Sequence, residues 1–448
     1  MGTGRRLVVL LLAVALIGVP AAVLRIACVG ASCRSTAEAA SSPAPFCSLP
    51  ADVRSLITAG TYESSSPDVM GVAGSTPVVA RTGKGMEVPW PSTDESAQAA
   101  MRAPLSFLGS GIEPGRLPRG VTLDQVAPTL EPLLGLRRAH PDVRSGTAIR
   151  GVARPGATTP LVVLIVWKGV GNADVSTSWR QIMRTSDRVV SAPTTGNDTS
   201  SVNKFRTPAW MHGIGATNGT ATAGSLPLDP IAVEATIGTG GLPSDHGITG
   251  SKILDAGKVV RAFAPGSPQP VIATLGDDLD QATHGRAQIG SIATEPGDEG
   301  LTGDDWYGGG VNPIVDRSVR VTAGAAVGVG SFLEDGWGAD DVPDLLAIAL
   351  AGSFQQDNVT TGEVEEQVLR AVPDATIVVA GTGSVDVRHE VSAPSPAGTD
   401  AVAAGGLFVE PGTAQNVVDA LHAERAPDGS PLFADAFASY AVQFGSYC

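Results

Sequence analysis

Histidine and aromatic residues are scarce in this 448-residue chain: six histidines, and Phe, Trp and Tyr together only 4%. Cysteine is absent from the 400 residues between Cys47 and Cys448, and Lys and Arg are outnumbered by Asp and Glu, 30 to 45. No histidine stands at ligand spacing from a cysteine, so no zinc-finger site is expected. A net charge of −15 without basic clusters excludes a nucleic-acid partner, because polyphosphate binding works through counterion release by grouped cations. What is abundant is glycine (55), proline (33) and a 43% apolar fraction. Recurrent apolar runs at that level are too dense for a disordered chain, and the length suits one large α/β domain or two smaller ones.

Arg5 and Arg6 precede an eighteen-residue apolar run, residues 7–24 (LVVLLLAVALIGVPAAVL), long enough to cross a hydrocarbon core of roughly 30 Å as a helix. Residues 1–24 are therefore expected to be a signal or membrane-anchor segment, and the protein to be extracytoplasmic, either secreted or held by one N-terminal helix. Ala37-Glu38-Ala39 offers a cleavage site far beyond the run, so removal and retention both stay open. Residues 25–45, rich in Ser, Ala and Pro, read as a linker, leaving residues 46–448 as the folded domain. In an oxidising compartment Cys47 is expected to pair with Cys448, tying the domain's ends, and Cys28 with Cys33 in a small local loop.

Within the domain, residues 49–59 have helical spacing and residues 67–74 (PDVMGVAG) strand character. Residues 126–136 suggest a short helix from about Pro128. Residues 160–167 (PLVVLIVW) form an almost unbroken apolar run between turn residues, the pattern of a central parallel strand buried on both faces. Residues 271–275 (VIATL), 345–350 (LLAIAL) and 375–380 (ATIVVA) look like further strands of that kind, with helix such as 363–371 between them. The expected class is α/β, a mostly parallel central sheet with helices on both faces.

Several segments resemble the alkaline phosphatase superfamily, in particular its type I phosphodiesterases and phosphomutases. Residues 102–136 (RAPLSFLGSGIEPGRLPRGVTLDQVAPTLEPLLGL) resemble that family's closing strand, glycine turn and D-[IV]-A-P-T-[IL]-x-x-L-L-G helix. Residues 160–170 (PLVVLIVWKGV) resemble its first strand and residues 235–250 (ATIGTGGLPSDHGITG) its T-G-x-x-P-x-x-H-G-I turn. Residues 342–350 and 376–384 resemble two later strands. The closing segment comes first here, so the resemblance implies a circularly permuted domain whose original connection ran between the present ends, where a Cys47–Cys448 bridge would restore a covalent link.

Members of that superfamily use two metal ions, held by Asp and His, to activate a Ser or Thr nucleophile. By resemblance, the first metal-binding Asp is Lys168 here, and the nucleophile position falls at Leu228, Asp229, Pro230 or Ile231. The D-x-x-x-H pair falls between Ser353 and Asn358, the Asp-His-Gly at Thr382, Gly383 and Ser384, and the last histidine near Lys84. The vacated positions are thus Lys168, Ser353, Asn358, Thr382, Gly383 and Lys84. No catalytic residue, cofactor or metal is assigned. His246 matches a turn histidine of structural character, and the acidic groups at Asp277, Asp278 and Asp280, at Asp304 and Asp305, and in residues 334–344 are expected to be solvated loops.

The resulting expectation is a non-catalytic exported protein with a scaffold or binding role at the cell envelope. Its partner would be an envelope ligand or protein of unknown identity, with the membrane as a further partner if the N-terminal helix is retained. The alternative is a metal-dependent phosphodiesterase or related hydrolase with ligands elsewhere. Lys168 itself has two readings, direct contact with a phosphate or sulfate oxygen, or pairing with a local carboxylate that fills the lost metal's place.

Overall fold

The computed structural model describes residues 45–74, 78–81, 87–93, 99–137, 141–176, 216–304, 306–307, 315–316, 322–384, 391–393, 396–443, 445 and 448. The expectations for residues 7–24, the 25–45 linker apart from its last residue, Cys28, Cys33, Lys84 and Asp305 lie outside them. Among the described residues no helix is long and apolar enough to cross a membrane.

In chain order the strands are β1 (Val69–Ala73), β2 (Val78–Arg81), β3 (Glu87–Pro89), β4 (Arg102–Gly109), β5 (Gly115–Arg116), β6 (Leu161–Trp167), β7 (Ala216–Thr222), β8 (Lys252–Asp255) and β9 (Lys258–Arg261). They continue with β10 (Ile289–Ile292), β11 (Val315–Asp316), β12 (Asp344–Leu350), β13 (Thr376–Gly381), β14 (Val391–Ala393), β15 (Thr399–Ala403), β16 (Gly406–Val409) and β17 (Phe433–Ala438). The helices that matter are α1 (Ala51–Ala59), α2 (Val126–Leu130), α3 (Pro230–Thr239), α4 (Pro243–His246), α5 (Leu275–Thr283), α6 (Thr322–Glu334), α7 (Phe354–Ala371), α8 (Ala414–Ala423) and α9 (Tyr440–Gln443).

An eight-stranded sheet of order β11-β10-β12-β6-β13-β4-β7-β5 forms the centre. Its neighbours pair in parallel except at β13–β4 and β4–β7, so β4 alone runs against the rest. β6 is buried at all seven positions because both its faces are covered. Val162, Leu164 and Val166 pack on one face with α2, α3 and α5, through Leu130, Ile237 and Leu279 among others. Leu161, Val163, Ile165 and Trp167 pack on the other with α6 and α7, through Phe332, Phe354 and Val368. The alternation follows from the two-residue period of a strand, and full burial of each such side chain stabilises the fold by about 1.5–3 kcal/mol.

The expected strand at residues 271–275 does not form. Thr274 and Asp277 cap a helix there instead: the Thr274 hydroxyl accepts the Asp277 N–H at 3.2 Å, while the Asp277 carboxylate accepts the Thr274 N–H at 2.8 Å, and α5 starts at Leu275. The sheet position belongs to β10, whose I-G-S-I sequence is too short and too small to stand out. The helix expected from about Pro128 starts earlier, α2 following a 3-10 turn at Leu123–Gln125, and α7 extends the helix expected at 363–371 back to Phe354.

The two ends of the domain build a second sheet, β15-β16-β1-β17, antiparallel throughout. β1 pairs directly with β17, and Phe46 meets Phe437 edge to face at 5.2 Å. Cys47 and Cys448 are joined in a disulfide, their Cα atoms 5.2 Å apart. Buried Asp435 adds a polar tie, accepting the Phe46 N–H at 2.8 Å and the Ser48 hydroxyl, with His422 Nε2 3.2 Å away.

Candidate functional site at the carboxyl edge of the main sheet

The loops that leave the carboxyl ends of β6, β12 and β13 are bonded to one another through their main chains. The Lys168 N–H donates to the Leu350 carbonyl at 2.8 Å, the Thr382 N–H to the Trp167 carbonyl at 3.1 Å, and the Gly383 N–H to the Val170 carbonyl at 3.2 Å. The Thr382 hydroxyl accepts the Gly169 N–H at 2.7 Å. Lys168, Thr382 and Gly383 are thereby brought together at one edge, and Leu228 packs nearby, since a Cβ on Gly383 would lie 2.8 Å from its side chain. Ser353 and Asn358 go to helix work instead. Ser353 caps α7 through its reciprocal bonds with Gln356, and Asn358 is buried one turn in, its Oδ1 without a hydrogen-bond partner among the described residues. Asp229, at the position expected from the resemblance to match the nucleophile, caps α3, accepting the N–H of Ile231 at 2.9 Å and of Ser251 at 3.0 Å.

The Lys168 side chain is only 8% exposed. Its ammonium lies against three carboxyl groups: Glu295 at 2.7 Å, Glu234 at 3.8 Å, and Asp298 in a direct hydrogen bond. Glu234 comes from the middle of α3 and is fully buried, while Asp298 belongs to the 3-10 turn Pro296–Leu301. The two elements approach closely because glycine lies between them; a Cβ on Gly238 would stand 2.1 Å from the Gly300 carbonyl oxygen. Asp298 is fixed from below as well, its second oxygen accepting the Thr294 N–H at 2.5 Å, the Thr294 hydroxyl at 2.9 Å and the Glu295 N–H at 3.0 Å.

Burial alone pulls the Lys168 ammonium down, but the charges of Glu234 and Asp298 and the hydrogen bonds to Asp298 and Glu295 outweigh it and hold the group above the usual lysine range. Glu234 moves well up, first from burial and then from the charge of Asp298, with Lys168 opposing. The two shifts run in opposite senses for charge: the cluster favours the charged ammonium of Lys168 and disfavours the ionised carboxyl of Glu234. The exposed Arg261 guanidinium, 3.8 Å from the far oxygen of Glu295, adds a second cation at the rim.

A phosphate or sulfate oxygen approaching this ammonium would meet three carboxyl groups first, so the arrangement opposes anion capture at Lys168. Sequence reasoning marked the end of β6 but missed Glu234, Glu295 and Asp298. One signal was available: Glu234 is the lone charge in an otherwise apolar helix (PIAVEATIGT), and such a charge needs a buried partner.

Three of the acidic residues expected in solvated loops are buried, Asp277 and Asp278 in the first turn of α5 and Asp344 at the start of β12. Asp277 is the α5 cap, its carboxyl raised to about 6 by burial against the hydrogen bonds from Thr274. Asp278 pairs with the equally buried Arg144 at 2.9 Å and accepts the Tyr307 hydroxyl at 2.6 Å. Among the described residues no group of three or more His, Cys, Asp or Glu could hold a metal ion.

His246 is fully buried at the end of α4. Its Nδ1 accepts the Ile248 N–H at 3.1 Å, so the proton sits on Nε2, 3.1 Å from the Thr236 hydroxyl, which in turn donates to Ala232. Burial lowers its ring to about 3, the mark of a neutral structural histidine. No family model matches the chain, and no curated protein matches it either.

Proposed function

We propose that this chain is an exported, non-catalytic protein with a scaffold or binding role at the cell envelope, built on a permuted fold of the alkaline phosphatase superfamily type. The observation that carries the reading is the ammonium of Lys168, seated among Glu234, Glu295 and Asp298 at the carboxyl end of the central strand. In open parallel sheets that edge is where chemistry is usually done. A fixed internal cation there faces the carboxyl groups in the place of a metal, and Asp229, at the position matched to the nucleophile, is committed to its helix cap. Fold without such a site gives no catalysis.

Permutation is supported by the joining of both ends in one sheet, β1 between β16 and β17, with the Cys47–Cys448 bridge across them. Export is supported by the apolar run at residues 7–24 and by that cross-link, which persists in oxidising compartments. Elemental analysis of the purified chain, combined with an assay for turnover of bis(4-nitrophenyl) phosphate in added zinc or manganese, tests the central claim. Neither bound metal nor turnover is expected. Stoichiometric metal accompanied by turnover would overturn it.

A further inference from the structure

A cavity of about 450 Å³ opens where α1, α4 and α9 come together, within the volume range of small-molecule sites. Its lining has an unusual chemistry for this chain. Two of the four tyrosines, Tyr62 and Tyr440, face it together with five aliphatic hydroxyls, those of Thr58, Thr61, Ser66, Ser244 and Ser439, and the amide of Gln443. Among the described residues no Lys, Arg or His lines it, Glu63 is its one carboxylate, and Val442 its one aliphatic side chain. Among the described residues an anion would find no cation and a metal ion too few carboxylates, while the tyrosine rings and Val442 give the wall an apolar share beside its hydroxyls.

The polar groups are also preset. The Thr58 and Thr61 hydroxyls each donate to a main-chain carbonyl, Arg54 at 2.9 Å and Thr58 at 3.2 Å, which leaves their lone pairs as acceptors. Ser66 is the reverse: its oxygen accepts the Tyr62 N–H at 2.9 Å, so its proton is left to donate. The turn that carries Tyr62 is closed by Ser65 and Ser66 N–H bonds to its carbonyl, at 3.2 and 3.0 Å. Among the described residues the side chains of Ser244, Ser439, Tyr440 and Gln443 make no hydrogen bond. Tyr440 is 63% exposed, a large ring surface held at the start of α9.

We propose that this cavity binds a neutral saccharide unit. Sugar hydroxyls both donate and accept, which is what a wall of mixed donors and acceptors satisfies, and the C–H face of a pyranose ring stacks on tyrosine. The free sugar and the end of a longer glycan present the same chemistry. None of the lining residues belongs to the Lys168 cluster, so metal-dependent turnover in the assay above would leave this proposal untouched, and failure here would leave the reading of the sheet edge untouched.

The test is saturation-transfer NMR on the full chain with maltose, cellobiose and lactose as free probes and a soluble linear glucan as the polymeric probe. Transfer to at least one of them is expected; transfer only to the glucan would assign the site to glycan ends and still support the proposal. Tyr440→Ala should weaken binding at least tenfold and Tyr440→Phe should restore most of it, while the thermal midpoint of both variants stays that of the parent. Three results would overturn the proposal: no transfer to any probe, transfer that survives both Tyr440→Ala and Tyr62→Ala, or displacement of the bound sugar by inorganic sulfate at equal concentration.

Discussion

The two sheets of this fold are held by opposite means. The eight-stranded sheet is closed over by helices on both faces, and its strand β6 has no exposed position, so its stability comes from apolar burial with one internal ion cluster at the edge. The four-stranded sheet joins residues from the two ends of the chain, and there a covalent bond and the polar tie through Asp435 supplement a smaller core. The contrast teaches that cross-links concentrate where sequence separation is largest. Bringing together strands nearly the whole chain apart requires closing the longest loop, and a covalent link removes that entropy from the unfolded state.

The sharpest way to strain this contrast is to remove the buried cation. Lys168→Ala leaves Glu234, Glu295 and Asp298 facing each other without a counter-charge, and loss of one partner from a buried ionic group typically destabilises by about 3–5 kcal/mol. Urea unfolding at pH 8 should show a loss of that size. A change below about 1 kcal/mol would mean the cluster is idle. Hydrogen exchange should place the loss in β6, β12 and β13; a loss confined to β1 and β15–β17 would break the comparison.

Next in size is the bridge between the ends. Cys448→Ser, or reduction of the parent, should lower stability by about 3 kcal/mol on the usual scale for disulfides. Here the faster exchange should fall on β1, β16, β17 and α1, with the eight-stranded sheet keeping its protection. Equal loosening of both sheets would show that they unfold as one unit and that the bridge serves the whole chain.

The same contrast governed how much could be read from the sequence. β6, β12 and β13 were legible because continuous apolar runs of six or seven residues fit few environments other than a doubly covered parallel strand. β10 was not, since Gly290 and Ser291 interrupt a four-residue strand, and residues 271–275 misled because capping by Thr274 and Asp277 overrides their apolar character. At the site, the position of Lys168 followed from the end of a strand. Its partners did not, because Glu295 and Asp298 lie 127 and 130 residues further on and a compact turn delivers them. The pairing of Cys47 with Cys448 was expected from their positions at the two ends of the domain, and the structure joins them.

The smallest expected effect concerns a carboxyl group buried beside the eight-stranded sheet. Asp357, fully buried in α7, accepts the Gly352 N–H at 3.1 Å through one oxygen, while the other has no hydrogen-bond partner among the described residues. Burial raises it from 3.8 to about 6, with the Gly352 bond pulling the other way. A folded value above the unfolded one means the folded state binds the extra proton. The contribution is therefore fully present below about pH 4 and is lost as pH rises through 6. Asp357→Asn keeps an acceptor for Gly352 and removes the buried charge, so it should stabilise the chain by about 1–2 kcal/mol at pH 8, less than the full shift implies because the new amide also needs a partner. At pH 4 that advantage should be gone. Thermal unfolding of parent and variant across this range checks it, and the difference should grow between about pH 4 and 6 and level off above. A difference independent of pH would show that the Asp357 carboxyl titrates alike in the folded and unfolded chain, and that burial does not shift it.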